Sequence, residues 1–246
     1  MSSEIALKIS NLAKSFDKPV LQNLSLTIAA GQLYALLGPN GAGKTTTLRI
    51  VVGLLNADSG SVEIYGQDIR QNPEAAKAIT AWLPDDPMLY DKLTPVEYLA
   101  FVAGLWRIDA KAAAKDAESL LRWLELWDVR GQRCEGFSRG MKQKVALAGA
   151  LVHRPKLLIL DEPLTGLDAT MARTVKDALR AQVDAGATVI ITTHILEVAE
   201  RLADRIGIIA NGKLLAEGSL QELRTLSGAG EATLEDTFIR LTRSVE

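Results

Sequence analysis

The run Gly38-Pro39-Asn40-Gly41-Ala42-Gly43-Lys44-Thr45-Thr46 fits the pattern G-x-x-x-x-G-K-[ST]. Such a loop does one kind of chemistry. Its glycines let backbone N–H groups close around phosphate oxygens, and the helix that follows adds positive potential at its N-terminus. Lys44 would reach the β- and γ-phosphates, and Thr45 would offer its hydroxyl to Mg²⁺. A second signal is "LLILDEP", Leu157 to Pro163, where four apolar residues deliver Asp161 and Glu162 to the C-terminal end of a buried strand. Open parallel sheets bind ligands at that end, so Asp161 can hold Mg²⁺ through water while Glu162 faces the γ-phosphate. His194 closes the next core strand, "TVIITTH", and projects at the same edge, whereas His153 in "LVHRPKLL" reads as structural. A third stretch, "EGFSRGMKQKVALAGAL" from Glu135 to Leu151, sets Ser138, Arg139 and Gly140 just ahead of an apolar run with helical spacing. Ser138 can donate its hydroxyl or simply cap the helix, and the N–H groups around Gly140 open a helix whose dipole favours an anion.

These groups need strands and helices in alternation to hold them. "ALKISNLAKSF" and "LQNLSLTIAAGQ" alternate like half-exposed strands, and "LYALLG" is a continuous apolar run ending in glycine, as in a buried parallel strand. From Thr94 the pattern turns helical, with Thr94 as N-cap, Pro95 at the first position and Glu97 completing a capping box. Leu120, Trp123, Leu124 and Trp127 fall at i, i+3, i+4 and i+7 and predict one amphipathic helix, so residues 88–150 read as helical throughout. Alternation resumes at "KLLILDEP": a helix over 169–185 stopped by Gly186, the strand "TVIITT", a helix over 195–203, and a hairpin turning on Asn211-Gly212. Gly228 to Gly230 marks a loop before a final helix in "ATLEDTFIRLTRS". No stretch between 52 and 87 is assigned an element.

Composition bounds the rest. A chain of 246 residues, 48% hydrophobic and 24% charged, reads as one large globular domain. The net charge of −2, with scattered lysines and arginines, argues against nucleic acid as a partner. One cysteine, Cys134, permits no internal disulfide, and "MSSEIALKIS" lacks a signal-peptide pattern, which places the chain in the cytoplasm. No apolar run approaches the ~18–20 residues that span a bilayer, so a membrane role requires a partner.

Together these motifs resemble the nucleotide-binding subunits of ATP-binding-cassette (ABC) transporters, in the right order over nearly the whole chain. The resemblance implies an α/β P-loop NTPase sandwich with a mainly parallel core sheet, an N-terminal antiparallel β subdomain and an inserted α-helical subdomain. It implies one domain over 1–246: core and β subdomain in 1–87 and 151–220, helical subdomain in 88–150, helical tail in 221–246. "FSRGM", Phe137, Ser138, Arg139, Gly140 and Met141, stands at the family signature L-S-G-G-Q, which binds the γ-phosphate of ATP held by the opposite subunit. Arg139 and Met141 depart from that pattern. Phe16 occupies the place of the aromatic residue that stacks on adenine, although a lone strand-end aromatic is more often core. "LTGLD", with Leu167 and Asp168, resembles the D-loop at the dimer interface, and His194 the switch histidine. Asp85 stands where the family has a glutamine that touches Mg²⁺ and relays nucleotide state, the largest departure. Trp82, Trp106, Trp123 and Trp127 lie in or beside the region that receives the membrane subunit's coupling helix, with core packing the expected use of most of them.

The implied protein is an ATPase with ATP and Mg²⁺ as cofactors. Its partners are an integral membrane subunit and a second cassette, identical or different, and it sits at the cytoplasmic face of a membrane. Lys44, Glu162 and His194 would carry the chemistry. "LEDTFIRLT" and "YDKLTPVEYL" look most like exporter-type cassettes. The alternatives are an importer cassette, a cassette ATPase unconnected with transport, and a P-loop GTPase or kinase. The last lacks a guanine-reading N-K-x-D and leaves "FSRGM" unexplained.

Overall fold

A computed structural model describes residues 4–228 and 233–243. Strands β1 (Ile5–Ser15) and β2 (Pro19–Ala29) form a long hairpin, followed by β3 (Leu33–Leu37) and helix α1 (Lys44–Val51). Next come β4 (Ser59–Ile64), β5 (Gln67–Asp68), α2 (Pro73–Ala78) and β6 (Thr80–Leu83). Helices α3 (Pro95–Leu105), α4 (Ala110–Trp123) and α5 (Arg139–Leu151) make up the helical region. The core returns with β7 (Leu157–Asp161), α6 (Ala169–Asp184), β8 (Thr188–Thr193), α7 (Leu196–Leu202), β9 (Arg205–Ala210) and β10 (Lys213–Gly218), and α8 (Leu220–Leu226) and α9 (Leu234–Arg243) end the described chain.

The strands form two sheets. A four-stranded antiparallel sheet runs β2-β1-β4-β5, and a six-stranded sheet runs β10-β9-β3-β8-β7-β6, parallel except for β10. In β3 the side chains alternate between two cores: Leu33, Ala35 and Leu37 face the helices, while Tyr34 and Leu36 face the antiparallel sheet. Burial on both sides is why "LYALL" is continuously apolar.

Local chemistry sets most boundaries. At Thr94 the predicted capping box forms in both directions, with Pro95 in the first turn. Helix α6 stops one residue short of expectation, and Gly186 follows at φ 96°. Asn211 and Gly212, at φ 48° and 72°, make the tight turn of the β9–β10 hairpin. The final helix begins at Leu234, and the loop expected at Gly228 to Gly230 lies largely outside the described residues. The helix expected through Trp127 breaks earlier. Leu124 is the C-cap of α4, Glu125 takes φ 58°, and Trp127 opens a short 3₁₀ turn. The left-handed step lets both Leu124 and Leu126 reach the core, at 0% and 1% exposure. Trp127 is then gripped between the guanidinium groups of Arg122 and Arg130, at 4.3 and 4.2 Å from its ring centroid. β4, β5, α2 and β6 answer to no sequence expectation.

His153 fastens the helical region to β6. Its ring stacks on Trp106, with centroids 4.0 Å apart, and its Nε2 lies 3.2 Å from the Thr80 carbonyl oxygen. Burial lowers its pKa, against the raising effect of the Thr80 hydrogen bond. Nδ1 is buried with no hydrogen-bond partner, so a second ring proton would find no acceptor. A base with a depressed folded pKa binds fewer protons folded than unfolded, so stability is full above the unfolded value near 6.5 and declines as pH falls through it. Melting temperature in the wild type should therefore fall more steeply between about pH 7.5 and 5.5 than in His153→Gln. Parallel slopes would remove His153 from this role.

Candidate functional site

The predicted phosphate loop joins β3 to α1, and its glycines are held there by the packing beneath it. Gly41 and Gly43 take φ 81° and 103°, values that only glycine adopts without strain. A β-carbon on Gly38 would lie 2.3 Å from the Ile209 backbone oxygen, and one on Gly43 would lie 2.6 Å from Leu21 Cδ2. From below, the hairpin turn braces the loop, since the Gly212 N–H donates to the Ala42 carbonyl at 3.2 Å. Lys44 is only 8% exposed and donates its ammonium to the Gly38 and Pro39 carbonyls at 2.7 and 3.2 Å. Burial lowers its pKa, opposed by the charges of Glu162 and Asp161. With no acidic residue in the first turn of α1, its helix terminus keeps its positive potential.

Asp161 and Glu162 emerge at the end of β7, as expected, but a residue missed in the sequence organises them. Parallel register sets Thr192 of β8 beside Asp161. The Thr192 hydroxyl donates to Asp161 Oδ1 and accepts from the Glu162 N–H at 3.0 Å. Glu162 itself takes φ 49°, a strain of roughly 1–3 kcal/mol of the kind that clusters at functional sites. Its Oε2 lies 2.9 Å from His194 Nδ1 and accepts from the Thr165 hydroxyl at 3.3 Å. The structure thus unites Glu162 with His194. Threonines in a fully buried strand were the available signal for Thr192, because a buried hydroxyl requires a partner.

The signature turn also forms. Ser138 caps α5 and accepts from the Met141 N–H at 3.3 Å, Phe137 is buried, and Met141 packs against the core. A β-carbon on Gly140 would lie 2.0 Å from Met171 Sδ and 3.3 Å from Leu167 Cδ2, so the turn rests on the first turn of α6 and on Leu167 of the 164–168 loop. Within that loop Asp168 caps α6, accepting from the Met171 N–H at 2.9 Å. The Asp85 carboxylate is engaged by Arg139 at 3.2 Å. Phe16 is not a core residue. It sits at the tip of the β1–β2 hairpin, 59% exposed, with the Lys14 ammonium 5.4 Å from its ring centroid. No tryptophan is fully buried, although Trp82 and Trp127 pack against the two cores.

A phosphate cradle at the end of one parallel strand and a paired Asp-Glu at the end of another define a P-loop nucleoside triphosphatase. Residues 21–165 match the family model described as "ABC transporter". The ATP-binding protein EcsA of Bacillus subtilis is 35% identical, over 96% of this chain and 96% of its own length. Nod factor export ATP-binding protein I of Burkholderia lata is 39% identical, over 96% of this chain and 81% of its own. A solved "ATP binding subunit of ABC transporter" superposes with a TM-score of 0.90 at 32% identity, covering 96% of this chain and 99% of that one. The chain belongs to the ABC transporter family, as an ATP-binding subunit and ATPase.

Proposed function

We propose that the chain hydrolyses ATP to drive export through a separate integral membrane subunit at the cytoplasmic face of a membrane, two cassettes closing head to tail over two Mg·ATP. The observation that carries this reading is the Glu162 carboxylate, oriented by Thr165 and His194 at the sheet edge that also presents the Lys44 loop. The residues fit both cofactors. At Gly41, the loop glycine at φ 81°, a β-carbon would meet nothing within 4 Å, so the loop is open on that side. Mg²⁺ is held by one or two side-chain oxygens together with water and phosphates, and Asp161, at the end of β7 with one oxygen held by the Thr192 hydroxyl, offers such a ligand. Thr45 and Asp161 would hold it, and when bound it neutralises charge developing on the phosphates. Glu162 polarises the attacking water, while Lys44, His194 and the partner's Ser138 hold the γ-phosphate. Phe16 stacks on the base. Leu167 and Asp168 meet the second cassette.

Among the described residues no helix is long and apolar enough to cross a membrane. A groove of about 910 Å³ between core and helical region, lined by Trp82, Met88, Tyr98, Val102, Trp106 and His153, offers the membrane subunit a seat. Export rather than import is supported by the relative named for Nod factor export. The chain should co-purify with a multi-helix membrane protein; recovery only with ribosomes or DNA would sink the reading. Met88 is 93% exposed at the groove, so Met88→Glu should reduce that recovery severalfold with an unchanged melting temperature. Undiminished recovery would move the contact elsewhere.

A further inference from the structure

The two polar departures from the family pattern meet in space. Arg139 Nη2 lies 3.2 Å from Asp85 Oδ1, across 54 residues of chain. Asp85 follows β6, the edge strand of the six-stranded sheet, and Arg139 opens α5, so the pair joins the core sheet to the helical region. The same guanidinium packs over the 164–168 loop: a β-carbon on Gly166, which holds φ 74°, would lie 3.2 Å from Arg139 Nη1. One side chain therefore spans three segments, two of which, the signature turn and the 164–168 loop, are those proposed to meet a second cassette. Its hold on Asp85 is slight. The side chains are 53% and 50% exposed, and an exposed ion pair shifts an equilibrium by no more than about five-fold.

A weak, exposed carboxylate is poor glue but an easily exchanged partner. A triphosphate carries more negative charge, and a guanidinium can bind phosphate oxygens in bidentate fashion. We propose that Asp85 is a stand-in anion: it holds Arg139 in the separate subunit, and Arg139 trades it for phosphate of the nucleotide carried by the second cassette on closure. This rests on the head-to-tail closure proposed above. Asp85 is then a positioning residue that sets the threshold for closure. Its release also reaches the groove, because Pro84, Asp86 and Pro87 on either side of it line the groove wall.

The test reads dimerisation rather than turnover, by sedimentation with Mg·ATP in a Glu162→Gln background. Asp85→Asn should tighten the dimer about two- to five-fold, since a competing anion is lost. Arg139→Ala should weaken it by about ten-fold or more, since a charge-assisted contact is lost. The double variant should behave as Arg139→Ala alone, because Asp85 then has no cation to hold. Nucleotide-free melting temperatures of all variants should stay close together, both side chains being half exposed. Weaker dimers with Asp85→Asn, or an Asp85 effect that persists without Arg139, overturn the exchange. If the parent Glu162→Gln protein never dimerises with Mg·ATP, the head-to-tail model falls and the exchange with it. If it dimerises but ignores both substitutions, only the exchange falls.

Discussion

Glu162→Gln is expected to bind Mg·ATP within a few-fold of the wild type while its turnover falls by about 10²- to 10⁴-fold, the range of a lost general base. Glutamine keeps the side-chain length, and its amide oxygen can still accept from the Thr165 hydroxyl that now lies 3.3 Å from Oε2. The backbone at φ 49° is held by Thr192 through two contacts to the Glu162 N–H, at 3.0 Å to the hydroxyl and 3.2 Å to the carbonyl. Those contacts do not depend on the side-chain charge, so the strained turn should persist. What disappears is the capacity to accept a proton from the attacking water. Closure would then be permitted and reopening blocked, so the variant with ATP should sediment as a dimer under conditions where the wild type cycles back to monomer. Steady-state hydrolysis at wild-type rates would remove Glu162 from the chemistry, and the base would have to be sought elsewhere on the sheet edge.

Much of this site was legible in the sequence because its parts are local. The phosphate loop is one contiguous run, and the Asp-Glu pair is read from four apolar residues that end in carboxylates. The Thr94 capping box and the Asn211-Gly212 turn are likewise set within a few residues, and both form. What escaped is set by neighbours distant in the chain. Thr192 reads as an ordinary strand residue until parallel register sets it beside Asp161. Arg139 and Asp85 read as two separate departures until the fold brings them to 3.2 Å. β6 is four residues ending just before Pro84, and α2 is six residues, both too short for periodicity to show. Trp127 kept the helical spacing but not the helix, because Glu125 takes a left-handed step that spacing does not report.

Lys44→Ala should act at the opposite point from Glu162→Gln, on binding itself. An ammonium that meets β- and γ-phosphate oxygens contributes charge-assisted hydrogen bonds of about 1.5–3 kcal/mol each. Two of them correspond to roughly 10²- to 10⁴-fold in affinity. The nucleotide-free protein should suffer far less. Its ammonium donates to the Gly38 and Pro39 carbonyls, and both bonds are lost in the variant. Yet burial already lowers the Lys44 pKa, so the charged form is disfavoured by desolvation more than the Glu162 and Asp161 charges favour it. Removing the ammonium relieves that cost, which opposes the loss of the two bonds. Melting temperature without nucleotide should therefore move little, while the rise on adding Mg·ATP, which follows the ratio of ligand concentration to Kd, should largely vanish. A variant whose melting temperature still rises like the wild type's would mean that the loop binds through its backbone N–H groups alone. A variant already unfolded without nucleotide would instead make Lys44 a structural cation that fastens the loop through the Gly38 and Pro39 carbonyls.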